Sequence, residues 1–206
     1  MPIKFEKEFI SYCKNQDLEI NPNQIAVIKK LEEYCHINFK SFFSKVFSKQ
    51  QSKKGFYLYG GVGVGKTMIL NFFYDHLEEK KLKKHFNEFM LGFHDFVHEQ
   101  KEKNEENVIN QFVKNLKSKA SLIYFDEFQV TNIVDAMILG KLFDQIFKED
   151  IKIILTSNTK ISELYKEGLQ RDQFIPFIKI MEDQSIEHEL KIEDDYRKSN
   201  DNQKQR

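Results

Sequence analysis

The sequence predicts an α/β fold with a mostly parallel sheet, and three observations carry that reading. Short apolar runs at Gly55–Tyr59, 122–125 and 151–155 each fit a buried strand. Segments of helical periodicity lie between these runs, the alternation expected of strand–helix–strand units. The first run leads straight into a glycine-rich loop, and a helical pattern follows the loop.

The elements follow in order. Asn21-Pro22-Asn23 reads as a turn and helix start, and Ile25, Ile28, Leu31 and Cys35 then recur at helical spacing. Phe39, Phe42, Phe43, Val46 and Phe47 extend an amphipathic pattern, read as core rather than as a partner groove, and the polar stretch 48–54 ends it. After the first strand, Ile69, Leu70, Phe73 and Leu77 predict a helix from residue 66 to about 79. The lysine-rich run 80–84 reads as a solvated turn rather than a nucleic-acid patch, with a strand at 85–89 and helices at 93–100 and 108–116. The charge run 101–107 reads as solvated. Ala136, Leu139, Phe143 and Phe147 mark a further helix. At the far end Ile186, His188, Leu190 and Ile192 alternate with charged residues, which predicts a strand with one wet face near a sheet edge. The expected organisation is an N-terminal extension over 1–20, one domain over 21–197, and a polar, disordered tail over 198–206.

Basic and acidic residues balance at 32 each, so net charge gives no strong nucleic-acid signal. The only arginines are Arg171, Arg197 and Arg206. Cys13 and Cys35 are expected as reduced thiols, because nothing at the N-terminus resembles an export signal. No apolar run reaches the length of a transmembrane helix. These features predict a cytoplasmic address and leave peripheral membrane contact open.

The chemistry-bearing motif is GGVGVGKT, which fits G-x-x-x-x-G-K-[ST] with Gly60, Gly65, Lys66 and Thr67 at the required places. Such a loop turns its backbone N–H groups toward a phosphate, and the helix after it adds its positive end. The predicted cradle takes in Gly60, Gly61, Val62, Gly63, Val64, Gly65, Lys66, Thr67 and Met68. Lys66 would reach the β- and γ-phosphates of ATP, and Thr67 would ligate Mg²⁺. The run LIYFDEF delivers Asp126 to the end of a buried strand, suited to the Mg²⁺ shell. Glu127 beside it suits a general base that polarises the attacking water. The plain alternative is an acidic pair that caps a strand near the surface. Asn158 ends the next apolar strand, either as a γ-phosphate or water contact or as an ordinary turn residue. Arg171 is either an arginine finger or a surface ion-pair residue. His94 and His98 share an i, i+4 spacing that can bind a metal, but no third ligand is evident and packing residues interleave them.

GFYLYGGVGVGKTMI, HFNEFM, LIYFDEFQVTNIVDAMIL, LTSN, LYKEGLQRDQFIPFI and DDYR occur in this order. Together they resemble the ZapE-type cell-division ATPases of bacteria and their mitochondrial relatives, a branch of the AAA+ P-loop superfamily. The resemblance covers most of residues 20–197. It implies a five-stranded sheet of order 5-1-4-3-2 with helices on both faces. It implies ATP hydrolysis, a sensor role for Asn158, and an Arg171 finger acting on a neighbouring subunit's nucleotide. It further implies self-association and a cell-division protein partner. Asn87 stands where the family pattern has a second His. Relatives continue into a helical lid, so a short form without that lid is expected. Two other readings share the site chemistry: a nucleotide-gated scaffold with little hydrolysis, and a nucleic-acid-linked protein such as a helicase loader.

Overall fold

The computed structural model describes residues 5–39, 52–100 and 104–192. Five strands form one sheet: β1 (Gly55–Tyr59), β2 (Lys81–His85), β3 (Leu122–Asp126), β4 (Lys152–Ser157) and β5 (Ser185–Glu189). Their spatial order is β2-β3-β4-β1-β5, and every pairing is parallel. This is the expected order read from the other edge, and β5 lies at an edge as its alternation predicts.

The helices divide between the two faces. α1 (Phe5–Asn15), α2 (Pro22–Phe39) and α3 (Lys66–Asp75) contribute to one apolar cluster. α4 (Phe86–Glu99), α5 (Glu105–Lys119), α6 (Ile133–Lys148) and α7 (Arg171–Gln184) contribute to the other. The sheet alternates between them: Leu122 and Tyr124 join the first cluster, and Ile123 and Phe125 the second. Burial on both faces is why β1, β3 and β4 read as continuous apolar runs. Phenylalanine fills much of both layers. Phe128 meets Phe86 at a 4.4 Å ring separation, and Phe9 meets Phe72 edge-on at 5.1 Å.

Helix starts follow local chemistry. The Asn21 side chain accepts from the Asn23 N–H at 2.9 Å, and the Asn132 side chain accepts from the Val134 N–H at 2.9 Å. Both satisfy N–H groups that a helix start leaves without a partner.

The segment after α3 departs from the sequence reading. Residues 81–85 form edge strand β2, not a turn, and 86–89 open α4 rather than a strand. Contacts of Lys81 and Lys83 make lysines acceptable there. Lys81 donates to the carbonyls of Tyr74 and Leu77 at the end of α3. Lys83 lies over the Tyr124 ring and donates to Asn71 Oδ1 at 2.7 Å. An edge position also lets the ammonium groups reach water while their stems cover apolar surface. The helical signal was present: Phe86, Phe89, Met90 and Phe93 are buried at i, i+3, i+4 and i+7. α3 ends at Asp75, short of residue 79, and Lys81 fills the role of a C-terminal cation.

The first twenty residues carry α1, whose Phe5, Phe9 and Cys13 are buried against the α2–α3 layer. Cys13 and Cys35 are both free and buried. Ile186 on β5 and Leu190 just past its end join the apolar cluster that α2 also enters. The opposite face is not simply wet, because Glu187 accepts the Ile161 N–H at 2.7 Å. The cluster reading of 39–47 is met only at its first residue: Phe39 packs beside Tyr34, and 40–47 lie outside the described residues. The predicted tail over 198–206 also lies outside them.

Candidate nucleotide site

The parallel sheet brings the C-terminal ends of β1, β3 and β4 together, and the loops leaving them enclose a cavity of about 580 Å³. Its size is in the ordinary range for small-molecule sites. Val62, Gly63, Gly65, Lys66, Thr67 and Met68 line it from the first loop, with Glu127 and Asn158 opposite.

At Gly65 and Gly60 a side chain would collide with neighbouring atoms. Gly65 caps α3 with φ of 91°, a left-handed value, and a Cβ there would lie 2.6 Å from Gln24 Nε2. Gly60 passes so close to β5's exit that a Cβ would overlap the Leu190 carbonyl oxygen. Gln24, buried on α2, donates from Nε2 to the Val64 carbonyl at 3.0 Å. The cradle is thus braced from α2 and from β5. Gly65→Ala is expected to weaken binding of a fluorescent ATP analogue by roughly tenfold, because a side chain at positive φ costs about 1–3 kcal/mol. Titration of the analogue beside a thermal melt checks this, and wild-type affinity would remove the need for glycine.

Lys66 is buried at the base of the cavity. Its Nζ donates to the Gly60 carbonyl at 2.9 Å, the Gly61 carbonyl at 2.7 Å and Asn158 Oδ1 at 2.9 Å. An ammonium has three donors, so this set satisfies it fully. Burial lowers its pKa, and the Asp126 carboxylate offsets part of that. Anionic phosphate oxygens would act in the same direction as Asp126.

Thr67 Oγ1 donates to Asp126 Oδ1 at 3.1 Å, so the two groups predicted to hold Mg²⁺ meet. Asp126 is buried beneath the cavity, at the end of β3. A hydroxyl and a carboxylate are hard oxygen donors. They suit an ion that keeps several waters and takes one or two protein ligands. The residues present therefore fit both ATP and Mg²⁺.

Glu127 is exposed and adopts φ of 55°, a strained value for a residue with a side chain. Its N–H donates to Thr156 Oγ1 at 3.0 Å, and the Phe128 N–H donates to the Thr156 carbonyl at 2.7 Å. Ser157 Oγ donates to the Phe128 carbonyl at 2.9 Å. The turn after β3 is therefore fastened to the end of β4. Thr156 and Gln24 escaped the sequence reading, because a Thr at a strand end and a Gln on a helix carry no motif.

Arg171 lies outside this cavity. It opens α7, and its guanidinium donates to the Leu164 carbonyl at 3.0 Å and the Ser162 carbonyl at 2.9 Å. His94 Nε2 hydrogen-bonds with Asp135 Oδ1 at 2.7 Å, and His98 is exposed. Among the described residues no group of three potential metal ligands occurs. Asn87 is exposed in the first turn of α4. Among the described residues no helix is long and apolar enough to cross a membrane.

Comparison with known proteins finds relatives of this chain and of its fold. Lactation elevated protein 1 homolog B of Danio rerio is 40% identical over 146 residues, which take in 66% of this chain and 29% of that protein. Cell division protein ZapE of Escherichia coli K12 is 37% identical over 132 residues, 64% of this chain and 35% of that protein. The matches thus span about a third of the length of these relatives. Domain III of the Thermotoga maritima replication initiation protein DnaA superposes with a TM-score of 0.60 at 18% identity, covering 89% of this chain and 69% of that one. The DnaC helicase loader gives 0.56 at 13% identity, covering 84% and 92%. These two likenesses show the fold alone. The model of the AFG1-like ATPase family matches residues 15–206, so the chain belongs to the AFG1-like ATPases.

Proposed function

We propose that this chain binds ATP with Mg²⁺ and hydrolyses it to ADP and phosphate. The observation that carries the reading is a cavity lined by Lys66, Thr67, Glu127 and Asn158, in which Lys66 bonds Asn158 and Thr67 bonds the buried Asp126.

Residues 60–68 bind the triphosphate through backbone N–H groups, and Lys66 exchanges carbonyl partners for phosphate oxygens. Thr67 and Asp126 hold Mg²⁺, which supplies positive charge against the charge developing on the phosphates. Glu127 takes the proton of the attacking water. Asn158, already bonded to Lys66, orients that water or the γ-phosphate. Arg171 serves the site of a neighbouring subunit, stabilising charge in the transition state. Self-association follows from that assignment. The 37% identity to a protein named for cell division supports a role there. A protein partner and a cytoplasmic address are part of the same proposal.

The test is phosphate release as a function of protein concentration. Specific activity should rise with concentration, because an assembly completes the site. Arg171→Ala mixed with Lys66→Ala should recover part of the activity that each lacks alone. No recovery in co-assembled mixtures would end the in trans role. ATP binding without phosphate release at any concentration would support a nucleotide-gated scaffold instead.

A further inference from the structure

The geometry points to Thr156 as a positioning residue whose hydroxyl aligns the metal carboxylate Asp126 and the base Glu127 together. This inference rests on the Mg²⁺-ATP reading above. It concerns a cavity-lining residue argued to act through Asp126 and Glu127.

Three donors converge on Asp126 Oδ1. Thr156 Oγ1 is the nearest at 2.6 Å, followed by Thr67 Oγ1 at 3.1 Å and the Glu127 N–H at 3.2 Å. The short contact is that of a hydroxyl donating to an ionised carboxylate. Once its proton points at Asp126, the same oxygen accepts from the Glu127 N–H at 3.0 Å. One hydroxyl therefore uses its donor on the metal acid and a lone pair on the backbone of the base.

Two features make that double bond consequential. Glu127 is held at φ of 55°, a conformation that persists only where its surroundings enforce it. Thr156 is buried at 1% exposure, which limits competition from bulk water for its oxygen. Its β-branched side chain also has few χ1 choices on a strand. With Oδ1 engaged by these donors, Oδ2 would be the oxygen left for Mg²⁺ or its water shell, and the Thr156 bond would hold the carboxylate in that orientation. The neighbouring Ser157 offers a contrast: its hydroxyl donates to a backbone carbonyl and accepts the Thr159 N–H, contacts that hold a turn and reach no acid.

The experiment compares wild type with T156V, T156A and T156S. Each is assayed for phosphate release while Mg²⁺ is titrated at saturating ATP. A fluorescent ATP analogue is titrated in EDTA and across the same Mg²⁺ series, and each protein is melted. T156V should keep metal-free affinity within about twofold, yet lose about tenfold to a hundredfold in kcat with little change in KM, the cost of a misplaced catalytic group. Its Mg²⁺ midpoint should rise severalfold. T156S, which restores the oxygen, should return kcat to within about threefold of wild type.

Wild-type kcat and Mg²⁺ midpoint in T156V would overturn the inference. So would a deficit that serine leaves in place, or an equal loss of metal-free binding. Unfolded T156V and T156A beside a folded T156S would assign the hydroxyl to the fold and overturn it too. If the wild-type protein binds ATP but releases no phosphate, the hydrolytic reading fails separately. The Mg²⁺ midpoint of analogue binding then decides on Thr156: a raised value in T156V supports the role, and an unchanged value ends it.

Discussion

Glu127→Gln lowers Mg²⁺-dependent ATP turnover at least about a hundredfold and leaves nucleotide affinity within about threefold of wild type, because loss of a general base removes proton transfer without removing a binding contact. The substitution is nearly isosteric. It keeps the backbone bond from residue 127 to Thr156 and the strained turn that the bond supports. Glu127 is exposed at the cavity wall, and the polar contacts that anchor it are made by its backbone. The side chain is therefore available to a water molecule, and an amide in its place cannot take the proton. Phosphate release and analogue titration on the same protein separate the two effects. Equal turnover in wild type and variant would remove Glu127 from the mechanism. A matching fall in affinity would make it a binding residue.

Lys66→Ala weakens binding of the fluorescent ATP analogue by about tenfold to a hundredfold, the range for losing charge-assisted hydrogen bonds of roughly 1.5–3 kcal/mol. The effect extends past the phosphate contact. Lys66 Nζ joins the carbonyls of Gly60 and Gly61 to Asn158, so it links the P-loop to the end of β4. Without it, Asn158 loses its partner in the cavity. Turnover should accordingly fall further than affinity. Isothermal titration beside phosphate release measures both, and wild-type affinity in this variant would contradict the assignment of the cradle.

Much of this site was legible because motif residues are constrained by geometry. A loop wrapped around phosphate needs glycine where φ is positive, and Gly63 and Gly65 have φ of 81° and 91°. A carboxylate at the end of a buried strand reads as a ligand, and Asp126 occupies that place. The buried strands were equally plain, since a run apolar on both faces has few other uses. β2 was not, because its lysines suppress the apolar signal at the sheet edge. Their ammonium groups found carbonyls and an aromatic face, contacts that depend on where α3 ends and where Tyr124 lies. α1 was missed as part of the packed core for a similar reason. Its Phe5 and Phe9 acquire meaning only when Phe72 and Phe73 stand opposite. Thr156 marks the same limit within the site. Nothing local distinguishes it from other strand-end threonines, and its importance comes from Asp126 and Glu127, thirty and twenty-nine residues away in the chain.

The central claim is that the cavity bounded by Lys66, Thr67, Glu127 and Asn158 cleaves ATP, beyond holding it. The most direct measurement is single-turnover recovery of nucleotide, with protein in excess over ATP and aliquots quenched with and without Mg²⁺. The geometry predicts that ATP converts to ADP and phosphate only when Mg²⁺ is present, and that Glu127→Gln preserves bound ATP under the same conditions. Intact ATP recovered from fully occupied wild-type protein in Mg²⁺, at every protein concentration, would contradict it.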